Sequence, residues 1–382
     1  MNIRDEALNQ LEQFGQNNLG LYAAERNIDY GPQKRINTSN LSKYITHRVI
    51  DEQEVIQSAY KKFSFKKIEK FIQEIFWRTY WKGWLELRPQ VWDDYNKDLN
   101  NLLQMSQDKD YLRAIAGNTN IACFNDWVVE LKKSGYLHNH ARMWFASIWI
   151  FTLNLPWQLG ADFFLKHLID GDAASNTLSW RWVAGLHTKG KHYLATEWNI
   201  NKFSSKKYEN LHLNEKANSK IENKDYAVNA INYDEIKQKK SLFLYHNLEF
   251  SLSDTAEIKE NYIYGLIDFN TTLKDKNYST QVLDFKDKIN NELKNKIKNK
   301  FNSEIYIQTI EDLQKIILEK NIEQIILPYI TIGYENDFIK TIKKDLSIVY
   351  QAREYDKYCW QFSTKGYFAF KEQIPKILAK FL

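Results

Sequence analysis

Cysteine is nearly absent from this chain: 382 residues carry two, Cys123 and Cys359, far apart in sequence. That count excludes a disulfide framework and a four-cysteine zinc or iron–sulfur site. Reduced thiols in a cytoplasmic setting are the expectation. No apolar run is long enough to span a bilayer; the longest, Met143 to Leu155, closes on Asn154 and Pro156 and reads as a buried core helix. Met1 to Gln13 is polar and charged, without the apolar stretch of a secretory signal, so the Asn37-Thr38-Ser39 sequon is expected to stay unglycosylated. Glycine-rich dinucleotide and P-loop fingerprints are missing, as is any internal repeat. Charge of one sign is in small excess. A net +5 suits a phosphate-facing patch but falls well short of an obligate nucleic-acid coat protein.

What the chain does have is aromatic mass. Twelve Trp, 23 Tyr and 21 Phe make 15% of the residues, more than core packing in an ordinary domain needs. With 43% hydrophobic and 26% charged residues, the length supports two folded domains with cores of their own. From Met1 to about Tyr208 the patterning is helical, with amphipathic stretches at Phe63 to Leu87 and Asp126 to Lys133. Asn214 to Lys240 is rich in Asn, Lys and Glu and reads as a surface linker. Beyond it, strands at Leu242 to Phe250, Tyr262 to Phe269, Glu304 to Gln308, Ile325 to Ile332 and Ile348 to Gln351 alternate with helices at Asp284 to Phe301, Glu311 to Lys320 and Asn336 to Lys344. A terminal helix follows. Alternation of this kind implies a parallel, doubly wound sheet. The expected fold is therefore α plus α/β: a helical domain over 1–213, a linker over 214–240 and a Rossmann-like α/β domain over 241–382.

Three clusters in the helical half could carry chemistry. Asn37-Thr38-Ser39-Asn40-Leu41-Ser42 precedes a helix, so hydroxyls and free amides converge at the positive end of a helix dipole, a suitable cradle for a diphosphate. An ordinary helix cap is the simpler account of the segment taken alone. Glu74, Trp77 and Arg78 stand at i, i+3 and i+4, placing a carboxylate, a broad ring and a guanidinium on one helix face. That face could stack a base and bind its edge, or could equally be an amphipathic helix with Trp77 in the core. Asn139, Arg142 and Met143 share a face by the same spacing, and an Arg on an otherwise buried helix needs an anion. Asp170 and Asp172 are the carboxylates at hand, followed by Asn176 and the Trp180-Arg181-Trp182 run. His138 and His140, at i and i+2, do not share a helical face and have no cysteine near them in sequence, so no metal is expected.

Together and in order, these segments resemble the photolyase/cryptochrome family. Thr38-Ser39-Asn40-Leu41-Ser42-Lys43-Tyr44 is similar to the family's TSxLSxY phosphate loop and Glu74-Ile75-Phe76-Trp77-Arg78 to its ELxWR helix. Tyr136 to Met143 (YLHNHARM), Leu168 to Ala174 (LIDGDAA) and Trp180 to Gly185 (WRWVAG) carry the strongest resemblance, which covers roughly residues 20–190. The resemblance implies FAD, active as FADH⁻, bound within the helical domain. Tyr22, Thr38, Ser39, Asn40, Leu41 and Ser42 would hold its phosphates, and Arg78, Asn139, Arg142, Asp170, Gly171, Asp172 and Asn176 would surround the rest. It also implies UV-damaged DNA as partner, with a cyclobutane pyrimidine dimer flipped into a pocket. Trp77 and Trp182 would wall that pocket, and Glu74, Asn139 and Met143 would touch the lesion.

Asn176 resembles repair enzymes rather than photoreceptors, and Asn139 with Met143 resembles cyclobutane-dimer rather than 6-4 enzymes. Trp180 and Trp157 match the first two members of the family's flavin-reducing tryptophan chain. Ala114 stands at the usual third position, where Trp149 is an alternative. The expectation is a monomeric deoxyribodipyrimidine photolyase with no membrane segment. A cryptochrome-like blue-light photoreceptor, a 6-4 photolyase and a nucleic-acid-binding protein without flavin are the competing readings. The family's α/β domain usually comes first, but here it follows. The ending, Tyr358 to Phe362 through Lys376, resembles the tail of a short photolyase-like subgroup. No recognisable antenna-chromophore site accompanies the α/β pattern, which reads as support for the helical domain. Lys189, Lys191, Lys206 and Lys207 are the lysines that could meet DNA phosphates.

Overall fold

A computed structural model describes residues 1–251, 259–342 and 347–382. Lys343 and Lys344, the expected end of one helix, lie outside the described residues. Helices fill the chain up to Phe203: α1 (Ile3–Asn17), α2 (Tyr22–Glu25), α3 (Ser42–Thr46), α4 (Glu52–Tyr60), α5 (Phe65–Glu86), α6 (Gln90–Leu102), α7 (Lys109–Ala116), α8 (Ala122–Ser134), α9 (Asn139–Ser147), α10 (Trp157–His167), α11 (Ala173–Ala184) and α12 (Glu197–Phe203). Their ends follow local chemistry. Asp51 and Glu54 form a reciprocal capping box at the start of α4, and Asp108 accepts from the amides of Asp110 and Tyr111 at the start of α7. At α8, Gly135 closes the helix at φ 64°, a left-handed conformation that a side chain resists. The expected helix at Met143 to Leu155 is α9 continued by a π-helical turn, Ile148–Thr152, and its apolar side chains are buried.

The sequence after the linker folds into five parallel strands: β1 (Ser241–Tyr245), β2 (Tyr262–Ile267), β3 (Ile305–Ile307), β4 (Gln324–Pro328) and β5 (Ile348–Gln351), in the order β3-β2-β1-β4-β5. Leu242 pairs with Ile263 on one side and Ile325 on the other. Between the strands lie α13 (Asn270–Asp275), α14 (Thr280–Phe301), α15 (Ile310–Lys320) and α16 (Tyr334–Ile342). Every residue of β1 and β4 is buried, as expected for a sheet covered on both faces. Alternation sorts the two faces. Phe243, Tyr245 and Ile326 join one core with α14 and the helical body, while Leu242, Leu244 and Ile325 join a second with Leu313 and Ile339.

Two expected strands are shorter than their apolar runs. β1 stops at Tyr245 because His246 to Glu249 makes a turn: the His246 ring accepts from the Leu248 amide and its Nε2 meets the Pro328 carbonyl. β4 stops at Pro328, which has no amide to donate to a neighbour. The last helices, α17 (Glu354–Trp360), α18 (Tyr367–Lys371) and α19 (Ile374–Phe381), leave the sheet, and α17 and α18 pack against α5. This differs from an α/β unit running unbroken to residue 382.

A buried ionic network ties the three parts together. Arg48 donates to Glu249 after β1 and, at 2.8 Å, to Asp356 on α17; Arg353 reaches Asp356 and, at 2.9 Å, Glu52 on α4. Apart from Arg353, whose side chain is 14% exposed, these side chains are no more than 3% exposed. Charges so far from water are tolerable only when paired this completely.

Candidate functional site

Helix α5 is the axis of the site. Along one side it presents Glu74, Arg78 and Lys82, each a turn apart. Glu74 faces a cavity of about 120 Å³ whose lining includes Tyr22, Thr38, Ser39, Asn40, Leu41, Ser42, Glu74 and Asn139. Eight residues singled out from sequence, drawn from α2, the 38–42 loop, α5 and α9, therefore meet at one place.

The loop is built to stay open to a ligand. Asn37 donates to the carbonyls of Glu25 and Ile28 at 2.7 and 2.8 Å, pinning the strand of chain before it. Asn40 takes φ 51° and donates to the Arg35 carbonyl, and Leu41 is fully buried as an anchor. Thr38, Ser39 and Ser42 are left partly exposed toward the cavity. Beneath them, Arg35 is held between Asp29 and Glu130 at 2.8 Å each. The mouth is spanned by a long Arg26–Glu74 contact of 3.6 Å, and burial pushes the Glu74 carboxyl above its ordinary value against the pull of Arg26.

Behind the cavity lies the ion pair expected of Arg142 and Asp170, at 2.9 Å, with Arg142 also donating to the Leu137 carbonyl and lying over the Tyr136 ring. Burial pushes the Asp170 carboxyl up, but Arg142, supported by Arg78 and Ser42, outweighs it and holds the group below its ordinary range. Asp170 keeps a second buried oxygen, Oδ1, with no hydrogen-bond partner among the described residues. Arg78 grips Asp172 at 3.0 Å and the Thr46 hydroxyl, which itself donates to the Asp170 carbonyl. Asp172 also caps α11 through the Ser175 amide, and Gly171 forms the tight turn between the two carboxylates. Asn176 donates to the Ala161 carbonyl at 2.7 Å.

The remaining residues lie apart from that cavity. Trp77 stacks on Tyr367 of α18, with ring centroids 3.4 Å apart and planes 12° from parallel. Trp182 lies against Tyr193. Met143 approaches Asn139 through its sulfur, at 3.9 Å. Trp180 is buried against Phe145, Trp149 and Phe164, whereas Trp157 meets Tyr95; among the described residues no ring contact joins Trp180 to Trp157. Trp149 bridges Trp180 at 6.2 Å and Tyr111 at 6.0 Å, and Tyr111 stands one turn from Ala114 on α7.

Sequence reasoning missed Arg26, Asn27 and His140 as cavity walls. His140 and Tyr136 sit inside the YLHNHARM segment; for Arg26 no sequence signal was present. His138 is buried, accepts from the His140 amide and meets the Arg26 carbonyl, the role of a helix cap. No cluster able to hold a metal occurs among the described residues. Lys189 and Lys206 are engaged by Asp225 and Asp126. No described helix is long and apolar enough to cross a membrane.

Comparison with known proteins gives this geometry a context. The family model for the FAD binding domain of DNA photolyase matches residues 71–242. That segment contains Glu74 to Trp182 but not Tyr22 or the 38–42 loop. A deoxyribodipyrimidine photo-lyase of Neurospora crassa is 32% identical over 190 residues, 47% of this chain and 30% of that protein. One of Streptomyces griseus is 33% identical over 153 residues, 40% of this chain and 33% of that protein. Among solved structures, a bacterial class III photolyase of Agrobacterium tumefaciens overlaps 52% of this chain and 42% of its own, with a TM-score of 0.45 and 24% identity. The chain spans about a third of the length of the curated relatives it matches. Over residues 71–242 the chain is therefore similar to the FAD binding domain of DNA photolyase.

Proposed function

We propose that this protein binds FAD and uses light to repair cyclobutane pyrimidine dimers in DNA. One observation carries the reading: the hydroxyl-lined 38–42 loop, Glu74 and Asn139 share a cavity backed by the Arg142–Asp170 pair. The donor set suits the cofactor. Thr38, Ser39 and Ser42 supply hydroxyls for a diphosphate, and the unpartnered Asp170 Oδ1 is a buried acceptor for a ring N–H. At about 120 Å³ the cavity lies below the roughly 300–1,000 Å³ of ligand pockets. A dinucleotide therefore requires the rim to part, and the long Arg26–Glu74 contact is its weakest link. When bound and fully reduced, FAD supplies reversible, light-driven donation of one electron.

The chain's own residues do the rest. Arg142, which holds the Asp170 carboxyl below its ordinary range, and Arg78, paired with Asp172, would orient these two carboxylates toward the ring's polar edge. Asn176, fixed by the Ala161 carbonyl, presents its amide oxygen. Glu74, on the cavity wall with its carboxyl raised above the ordinary value by burial, would hydrogen-bond the edge of the lesion, and Asn139 would assist it. The lesion must first leave the duplex, at a cost of about a few kcal/mol that is least for damaged bases.

The Trp77–Tyr367 stack favours a second reading, a photoreceptor, because it covers a ring face that a flipped base would use. Two variants separate the readings. Repair predicts that Glu74→Gln keeps FAD but loses at least tenfold in dimer splitting, while Tyr367→Ala retains or improves dimer binding. FAD binding with no dimer affinity in either the wild-type protein or Tyr367→Ala supports the photoreceptor and rejects repair.

A further inference from the structure

We propose that the seam between the sheet and the helical body holds a small oxyanion, a phosphate group, on the ammonium of Lys82. The seam cavity encloses about 40 Å³ and lies at the carboxyl ends of β1 and β4, where the strand order reverses direction. Open parallel sheets bind ligands at this kind of reversal point, because the loops leaving neighbouring strands diverge there. Here the opposite wall comes from α5 and from the Gly171–Ala173 turn.

Among the charged side chains that line the cavity itself, one has no partner at ion-pair distance, although Glu86, a turn further along α5 and bound to Tyr329 and the Ile332 amide, lies behind it. Arg48 is taken by Glu249 and Asp356, Asp172 by Arg78, and Lys286 by Glu335 at 3.1 Å. Lys82 is 6% exposed and lines the cavity, yet among the described residues it has neither a carboxylate within ion-pair distance nor a hydrogen-bond acceptor. A largely buried lysine with no protein partner is stabilised by an anion that joins it. Burial, with Arg48 and Arg78 nearby, pulls its pKa below that of free lysine against the opposing influence of Asp172 and Glu52, and a bound anion would add to that opposition.

Neutral donors complete the cradle. Tyr278 and Thr331 line the same space, and neither hydroxyl has a hydrogen-bond partner among the described residues. Helix α16 begins at its edge with Tyr334 and Glu335, and the first-turn amides of a helix have no intrahelical partner. The Glu335 carboxylate at the rim is neutralised by Lys286, so it does not bar an anion. The volume fits one oxyanion or a few waters and excludes a dinucleotide.

The site shares the Gly171–Ala173 turn with the proposed flavin surroundings, but the inference itself does not rest on repair. It is tested by titrating inorganic phosphate into the full chain at constant ionic strength balanced with chloride, followed by calorimetry and thermal unfolding. The expected result is saturable binding of one phosphate per chain and a rise in melting temperature that chloride does not give. Lys82→Met should weaken binding at least tenfold while melting no lower than the wild type without phosphate. Thr331→Val, which keeps the lysine, should weaken it several-fold and serves if Lys82→Met does not fold. Glycerol 3-phosphate in parallel identifies the source. Tighter binding than inorganic phosphate means an esterified group, and weaker binding means the free ion; both support the phosphate site. A phosphate response no larger than that of chloride, or one undiminished in both variants, overturns the proposal.

Discussion

Gly160, near the start of α10, is where the packing around Trp180 is most exacting. A Cβ at this position would stand 2.3 and 2.5 Å from the Cη2 and Cζ3 atoms of Trp180 and 2.9 Å from Nε1 of Trp149. Neither ring can yield easily. Both are buried to 2% exposure or less, and the Trp149 indole is tethered to the Pro156 carbonyl at 2.9 Å. Gly160→Ala gains about 1 kcal/mol of helix propensity. Overpacking a filled core costs about 1–3 kcal/mol, and three contacts under 3.0 Å against rigid indoles place this site at the upper end. The net expectation is a loss of about 1–2 kcal/mol. Urea unfolding followed by tryptophan fluorescence and far-UV dichroism measures it, with near-UV dichroism reporting the displaced rings. An unfolding midpoint equal to or above that of wild type would show that propensity wins and that the Trp149–Trp180 contact is not rigid.

Gly15→Ala, in the interior of α1, is the matching control: its closest neighbours are the flexible Cε and Cδ of Lys62, so it should stabilise by about 0.5–1 kcal/mol in the same urea experiment. Arg48→Met strips the buried Glu249 carboxylate of its cation and should cost about 3–5 kcal/mol, again read from the urea midpoint; a loss under 1 kcal/mol would mean that water reaches the network. Acid should destabilise the fold between about pH 6.5 and 4. Burial depresses His138, His140 and His246 to about 4 and His47 and His187 to about 3, so the unfolded chain takes up protons first and stability rises with pH through this window. Glu86, raised by burial to about 7, works in the opposite direction together with Asp51, Glu74, Glu130 and Asp162, but the five histidines carry the larger shifts. A urea midpoint that stays flat from pH 7 to 4.5 would contradict this balance.

The parts of the fold that were legible in the sequence are those set by short-range pattern. The apolar periodicity of Phe63 to Leu87 became α5, and the alternation beyond residue 240 became a parallel sheet covered on both faces. Strand ends were misjudged where a turn is itself apolar: His246 to Phe250 continues the hydrophobic run while its hydrogen bonds fold it back. That Glu74, Asn139 and the 38–42 loop belong to one site was implied by the family resemblance, whereas spacing alone put Glu74 on a face with Trp77 and Arg78 and Asn139 on a face with Arg142 and Met143. Partners brought from far along the chain were invisible. Tyr367 covers Trp77 because α18 returns to α5, and Trp149 rather than Trp157 meets Trp180 because a π-helical turn and Gly160 set the ring positions. Lys82 carried no signal in the sequence, since only the packed seam shows that it has no partner among the described residues.

Light-dependent repair by the reduced, FAD-loaded protein tests the central claim most directly. A thymine-dimer oligonucleotide, followed by chromatography under near-ultraviolet light against a dark control, should lose its lesion only in the light and only when FAD is bound. Intact dimer after illumination of protein carrying fully reduced FAD would contradict the account.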